Sequence, residues 1–370
     1  MFTHALPFAV SLTFLPMAAL GLAYGGLWAA AGLLYAFLII PLVDQLMGLT
    51  KANLDPATEE SRLLFHRFIT WMWVPIQIAL IFTVIAVLGA SSHLSTVEIL
   101  LLATSVGIVT GGIGITYAHE LIHQTNRFER SLGEILMTST LYGHFCIEHV
   151  HGHHIHVGTP KDPVSARQGE SVWRFLPRAV FGSLVSAWRI QRDRMARRGK
   201  RVWHLSNPFW RYGLAYAVYF GVAYMLAGWL GVGVFALQAV VAFLLLEVIN
   251  YVEHYGLSRR LLPNGRYERV QPHHSWNASH KFTNYFLINL QRHSDHHKHP
   301  QRRYPVLQHY EEDEAPQLPF GYPTMLIMAL LPPVWFRVMD PKVEAWKQKH
   351  QAPVVTQDAG AATGRISASV

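Results

Sequence analysis

Residues 97–123 read VEILLLATSVGIVTGGIGITYAHELIH. After Glu98 no charge interrupts the run until its far end, and Val97 to Tyr117 matches the roughly 20 residues a helix needs to cross about 30 Å of hydrocarbon. Lipid offers backbone groups no water, so a stretch of this kind satisfies its own hydrogen bonds as a helix. The run passes without a break into HELIH, where His119 and His123 stand four residues apart. Four residues turn a helix by about 40° net, so both imidazoles project from one face, one turn apart. The reading is a membrane span whose end carries a two-toothed grip for a metal.

The rest of the chain agrees with a membrane reading. Of 370 residues, 51% are hydrophobic and only 15% charged, which is too apolar for an ordinary soluble domain of this size. Five more apolar runs of near-span length occur, at Ala5–Tyr24, Leu27–Val43, Phe68–Leu88, Tyr212–Leu230 and Val232–Ile249. The expected fold is therefore an all-α membrane protein, a six-transmembrane-helix bundle with a cytoplasmic histidine-rich metal-binding region. The first run lacks a basic leader and a small-residue cleavage site, and reads as a retained helix. Gly25 and Gly26 make a tight hairpin between the first two runs, and the second pair of late runs turns at Gly231–Gly233.

Orientation follows from the basic residues, which concentrate in cytoplasmic loops. Residues 118–209 hold 13 Lys and Arg and residues 256–370 hold 14, whereas the connectors at 89–96 and 231–233 hold none. Both histidine-bearing regions and both termini are expected inside, with the protein in a bacterial inner membrane. The expected organisation is 1–117, four spans; 118–209, a cytoplasmic insert; 210–254, two spans; 255–350, a cytoplasmic region; and 351–370, a disordered tail. The apolar stretch Phe320–Met339 is broken by Pro323, Pro332 and Pro333, and is expected at the interface or packed on the bundle.

The pI near 9.6 resides in the cytoplasmic parts and suits anionic lipid headgroups or an acidic protein partner. No nucleic-acid recognition helix or basic-aromatic interleaving is present. The single cysteine, Cys146, excludes a disulfide framework and a cysteine-based iron or zinc module, and reads as a small buried hydrophobe. The glycines of GGIG, Gly111–Gly114, lack the third glycine of a nucleotide fingerprint and read as small residues for helix contact.

Among 22 histidines, spacing and depth single out nine. They are His119 and His123 in HELIH; His149, His153 and His154 in EHVHGHHIHV; His293, His296 and His297 in HSDHH; and His254 in NYVEHYG at the end of the last span. Two helical histidines four apart arise by chance, but four sets at the same ends of spans do not read that way. Nine imidazoles exceed what one octahedral ion accepts, so two ions are expected. Zinc is content with three or four ligands, which leaves a redox metal of higher coordination number, with iron foremost. Neighbouring carboxylates Glu120, Glu148, Asp162, Glu253 and Asp295 are expected to accept the other ring N–H of the ligands, with metal bridging by one of them left open. His273, His274 and His280 are read as hydrogen-bonding groups around the centre. His151 is expected to point away, and His156 to lie near the end of its helix.

These boxes resemble those of the integral-membrane alkane monooxygenases. The shared pattern is HELxH at His119–His123, EHxxGHH at Glu148–His154 continuing into TPKDPVSA at Thr159–Ala166, NYVEHYG at Asn250–Gly256, LQRHSDHH at Leu290–His297, and the late GYP and WFRVMDPK segments. The resemblance implies a non-haem di-iron centre held by the nine histidines and terminal hydroxylation of n-alkanes with O2. It also implies electrons from a rubredoxin, itself reduced by a flavoprotein reductase. One cysteine leaves no fused rubredoxin in this chain, so a separate one is expected. An alkane has no polar handle and dissolves in lipid; a slot among the spans is expected, lined by Leu33, Ala36, Phe37, Ile40 and Thr116. Ordinary packing is the competing reading of each.

Related histidine boxes occur in fatty-acyl and alkyl-aromatic hydroxylases and desaturases, the nearest alternative. HELIH also satisfies the H-E-x-x-H of a zinc peptidase with Glu120 as base, and a metal transporter is a third reading. The peptidase leaves two histidine clusters without work. The transporter predicts ligands near the midplane rather than at one membrane face.

Overall fold

The computed structural model describes residues 1–351; the tail expected at 351–370 lies outside the described residues apart from Gln351. Among the described residues there is no extended strand, only isolated bridges such as Leu49 with His280. Five helices of the described residues are long and apolar enough to cross a membrane. These are α1 (Phe2–Tyr24), α2 (Gly26–Met47), α3 (Glu60–Ala90), α4 (Thr96–Ile122) and α7 (Pro208–His254). Between α4 and α7 lie α5 (Arg127–Ser139), a short helical stretch through His149–His153, and α6 (Val172–Ala196). After α7 come α8 (His293–Lys298), α9 (Tyr322–Ala329) and α10 (Pro332–Gln351).

The fifth apolar helix folds back on itself. The rings of Phe220 and Phe235 lie 5.1 Å apart, whereas fifteen residues of continuous helix would separate them by about 22 Å. Ala227 and Gly228 leave helical geometry, and Gly228 takes a φ of 57°, which glycine adopts without strain. The reversal therefore sits three residues before the expected Gly231–Gly233 connector.

Helix α4 is the axis of the bundle, and its small residues explain why. A Cβ on Gly111 would stand 2.8 Å from the Cα of Ala242, and one on Gly107 would stand 2.7 Å from the carbonyl of Gln238. Glycine at these two positions lets α4 and α7 approach backbone to backbone, the contact expected of GGIG and its neighbour. Buried polar groups are paired across the helices: Gln77 donates to Ser139, and Thr110 donates to Gln238.

HELIH lies on α4 itself, so the helix continues past the Tyr117 boundary to Ile122 and carries His119 rigidly into the centre. Helices α9 and α10 meet at 118°. They bury Tyr322, Met325, Trp335 and Met339 against the bundle, which agrees with packing on the bundle. Cys146 is half-buried against the same core.

Candidate metal centre and apolar slot

The nine histidines converge, and they divide into two groups. His119, His123, His149, His154 and His296 form one, and His153, His254, His293 and His297 form the other; within each group, one nitrogen per ring lies within 4.8 Å of all the rest. The middle box and HSDHH each serve both groups, whereas HELIH serves only the first and His254 only the second. His293 and His297, one turn apart on α8, join the smaller group, and His296 joins the larger.

The middle box divides for a less familiar reason. His149–His153 is a π-turn, whose hydrogen bonds span five residues instead of four. This widened turn brings His149 and His154 to one face, with Nε2 atoms 3.0 Å apart, and releases His153 to the other group. His151 is exposed and points away as expected, and His156 joins neither group.

The donor geometry fits metal ions. Neighbouring Nε2 atoms are 3.1 Å apart for His154 and His296, 3.1 Å for His254 and His293, 2.9 Å for His293 and His297, and 3.3 Å for His153 and His297. Two imidazole nitrogens at right angles, each about 2.1 Å from one ion, would stand about 3 Å apart. The buried Nε2 of His123 has no partner of its own. Burial, reinforced by the surrounding imidazoles, holds His123, His149, His154, His293, His296 and His297 well below the ordinary histidine range, so they present neutral lone pairs. The two groups adjoin, since the rings of His154 and His297 are 4.5 Å apart.

Of the five carboxylates, Asp162 faces the Nδ1 side of a histidine of the smaller group. His153 Nδ1 donates to its Oδ2 at 3.0 Å, and this interaction outweighs burial to hold the Asp162 carboxyl below its ordinary value. Glu253 approaches the metal-facing Nε2 of His293 at 3.2 Å and accepts the Tyr322 hydroxyl at 2.8 Å.

The other three carboxylates are corrections, because each is engaged elsewhere. Glu120 accepts Gln124 and the backbone N–H of Tyr304 and lies 3.9 Å from Arg303. Glu148 accepts Ser186, and burial together with Asp162 holds it well above its ordinary value. Asp295 takes both oxygens to Arg302 and accepts Tyr310. A carboxylate on a helix must follow its own face, and these faces meet other helices and loops rather than imidazoles. The His273 and His274 side chains likewise face Glu268, away from the nine.

An apolar slot opens beside both groups. Its walls include Phe14, Ala36, Phe37, Ile40, Ile115, Thr116, Phe286 and Leu326, and its inner end meets His119, His149, His293 and Glu253. Ala36, Phe37, Ile40 and Thr116 therefore stand where expected. Leu33 does not line the slot; it is half-buried and packs against the core. A π-turn at Tyr35–Ile39 follows Leu33 and alters the rotation of the residues after it. The unforeseen wall residues come from several elements. Leu245, Leu246, Ile249 and Asn250 share the helix face of Glu253, a spacing that could have revealed them. Phe14 and Phe286 carry no such local signal.

The fold and the paired histidine groups define a class, and residues 94–328 match the model of the Fatty acid desaturase family. Within that class the chain belongs to the alkane 1-monooxygenase family. It is 43% identical to alkane 1-monooxygenase 2 of Pseudomonas aeruginosa, over 88% of this chain and 87% of that protein. It is 38% identical to the alkane 1-monooxygenase of Acinetobacter baylyi, over 86% and 77%. The hydroxylase component of a xylene/toluene monooxygenase from Pseudomonas putida is more distant, at 29% over 67% and 66%.

Proposed function

We propose that this protein is a membrane monooxygenase that inserts one oxygen atom of O2 into the terminal C–H bond of n-alkanes, giving 1-alkanols. The observation that carries this reading is that the hydroxyl and amide groups of the slot already donate to partners within the protein. Thr116 donates to the Gly112 carbonyl, Thr283 to Asp44, Asn250 to Glu247 and Tyr322 to Glu253. What remains to a guest is hydrocarbon. Recognition is then burial, about 0.8 kcal/mol for each methylene.

The nine histidines are the residues to hold two irons, five on one and four on the other. The chemistry such a pair supplies when bound is reductive activation of dioxygen, which side chains cannot perform. The protein does the rest. Slot walls exclude water and hold the chain so that its end meets the edge formed by His119, His149 and His293. Asp162 fixes the tautomer and orientation of His153. Asp295, clasped by Arg302, steadies the helix carrying His293, His296 and His297.

In the membrane, the two arms of α7 count as separate spans, six in all. Residues 1–117 supply four spans, 118–209 and 255–350 the cytoplasmic parts, and 210–254 the last two. Both termini and the histidines face the cytoplasm of a bacterial inner membrane, where a separate rubredoxin, served by its reductase, delivers electrons. The test is iron quantification on the purified chain, with product analysis from a mixed alkane feed under isotopically labelled O2. The expected result is two irons per chain and one labelled oxygen in a terminal alcohol. A single zinc with peptide cleavage, or an unlabelled desaturated product, would overturn the reading.

A further inference from the structure

Helix α6 is apolar on two opposite sides. One stripe, with Phe175, Ala179, Ser183 and Ala187, is buried against the bundle. The other, with Trp173, Phe181, Leu184 and Val185, is 57%, 69%, 43% and 45% exposed. Yet the helix does not qualify as a membrane span, for Arg174, Arg178, Arg189, Arg192 and Arg194 interrupt it. A helix of this kind lies in the interface, with its outer apolar face among acyl chains.

Its end changes character. Residues 189–201, RIQRDRMARRGKR, hold seven basic residues against one acid, Asp193, which pairs with Arg192 at 2.9 Å. Arg189, Arg194, Arg197, Arg198, Lys200 and Arg201 have no carboxylate partner among the described residues. Partial burial, and to a smaller extent the nearby Arg198 and Arg197, hold the Arg194 guanidinium below its ordinary value. Directly after the cluster come Trp203, Leu205 and Trp210, which are 66%, 83% and 50% exposed. Asn207 then caps the entry of α7 into its apolar run.

We propose that the Arg189–Arg201 segment is a binding site for anionic phospholipid headgroups, with the outer face of α6 and Trp203, Leu205 and Trp210 seated in the same leaflet. Unpaired cations just outside a span, flanked by tryptophans, match a headgroup's negative charge on one side and the acyl boundary on the other. A soluble acidic protein would match the charge but leave Trp173, Phe181 and Leu205 in water. The inference rests on the membrane reading and is independent of the oxygen chemistry.

The test uses the full chain and the quadruple variant R197Q/R198Q/K200Q/R201Q, with phosphatidylglycerol and phosphatidylcholine as probes. Lipids retained through native mass spectrometry are compared after exchange in mixed micelles. The wild type is expected to retain phosphatidylglycerol preferentially, and the variant to lose that preference by about five-fold for each neutralised residue. Neutralising Lys342, Lys347 and Lys349 instead should leave it intact. Equal preference in wild type and quadruple variant would overturn the proposal. So would unchanged lipid retention with lost binding of an acidic electron-transfer protein. Iron content unchanged in the variant separates failure here from failure of the monooxygenase reading.

Discussion

His149 and His154 are five residues apart, yet their Nε2 atoms lie 3.0 Å from each other. In a regular α-helix that separation would turn them about 140° apart. The π-turn removes the discrepancy, and with it the middle histidine box contributes to both histidine groups instead of one. Among the described residues three such turns occur, at Tyr35–Ile39, Thr110–Ile115 and His149–His153, and each borders the slot or the histidines.

His254 belongs to the smaller group, where only His153, His293 and His297 accompany it. His254→Ala is expected to insert normally in the membrane, lose hydroxylation, and retain one iron where the parent holds two. Metal analysis on purified protein checks this. Two irons with full turnover would remove His254 from the ligand set.

Asp162 orients His153 without facing the centre itself. Asp162→Asn keeps a side chain of the same shape but weakens that acceptor, and losses of about 10- to 100-fold in metal affinity are typical of such changes. A competition titration with a ferrous chelator should show one of the two irons weakened and the other unaffected. Equal weakening of both would show that the two positions do not bind separately.

Ala36 lines the slot and Leu33 does not. Ala36→Phe fills room otherwise taken by several methylenes, each worth about 0.8 kcal/mol or four-fold in binding. The longest alkane accepted from a mixed feed should therefore shorten, whereas Leu33→Phe should leave the product distribution unchanged. A change caused by Leu33→Phe alone would place the slot elsewhere.

Glu129 on α5 joins two other segments, bonding Arg303 after α8 at 2.8 Å and Arg67 on α3 at 3.1 Å. Burial alone would push its carboxyl up; the guanidiniums outweigh burial and hold it below the ordinary value. A depressed folded value contributes stability above the unfolded value near 4.5, and that stability is lost as pH falls through the folded value. Thermal unfolding should show this loss on acidification in the parent and a flatter profile in Glu129→Gln. At neutral pH the variant should be less stable by about 1.5–3 kcal/mol, the loss of charge-assisted hydrogen bonds, since Arg303 keeps Glu60 and Glu120 and Arg67 keeps Glu60 as further partners.

The sequence by itself determined the apolar spans, because their length answers to the thickness of hydrocarbon, and the nine histidines, because metal spacing on a helix is local. It also exposed the small-residue contact at Gly111, which depends only on side-chain size. Tertiary structure alone decided how the histidines divide five and four, since α- and π-turns use the same residues and differ only in which carbonyl each N–H reaches. It likewise decided that Glu120, Glu148 and Asp295 bind loops and helices rather than imidazoles, and that Phe14 and Phe286 meet Ala36 across the slot. Glu120 reaches Tyr304 and Ala36 meets Phe286 from segments far apart in the chain, which no local pattern encodes; Asp295 and Arg302 are near in sequence, yet whether the carboxylate takes that partner or an imidazole depends on what packs around both.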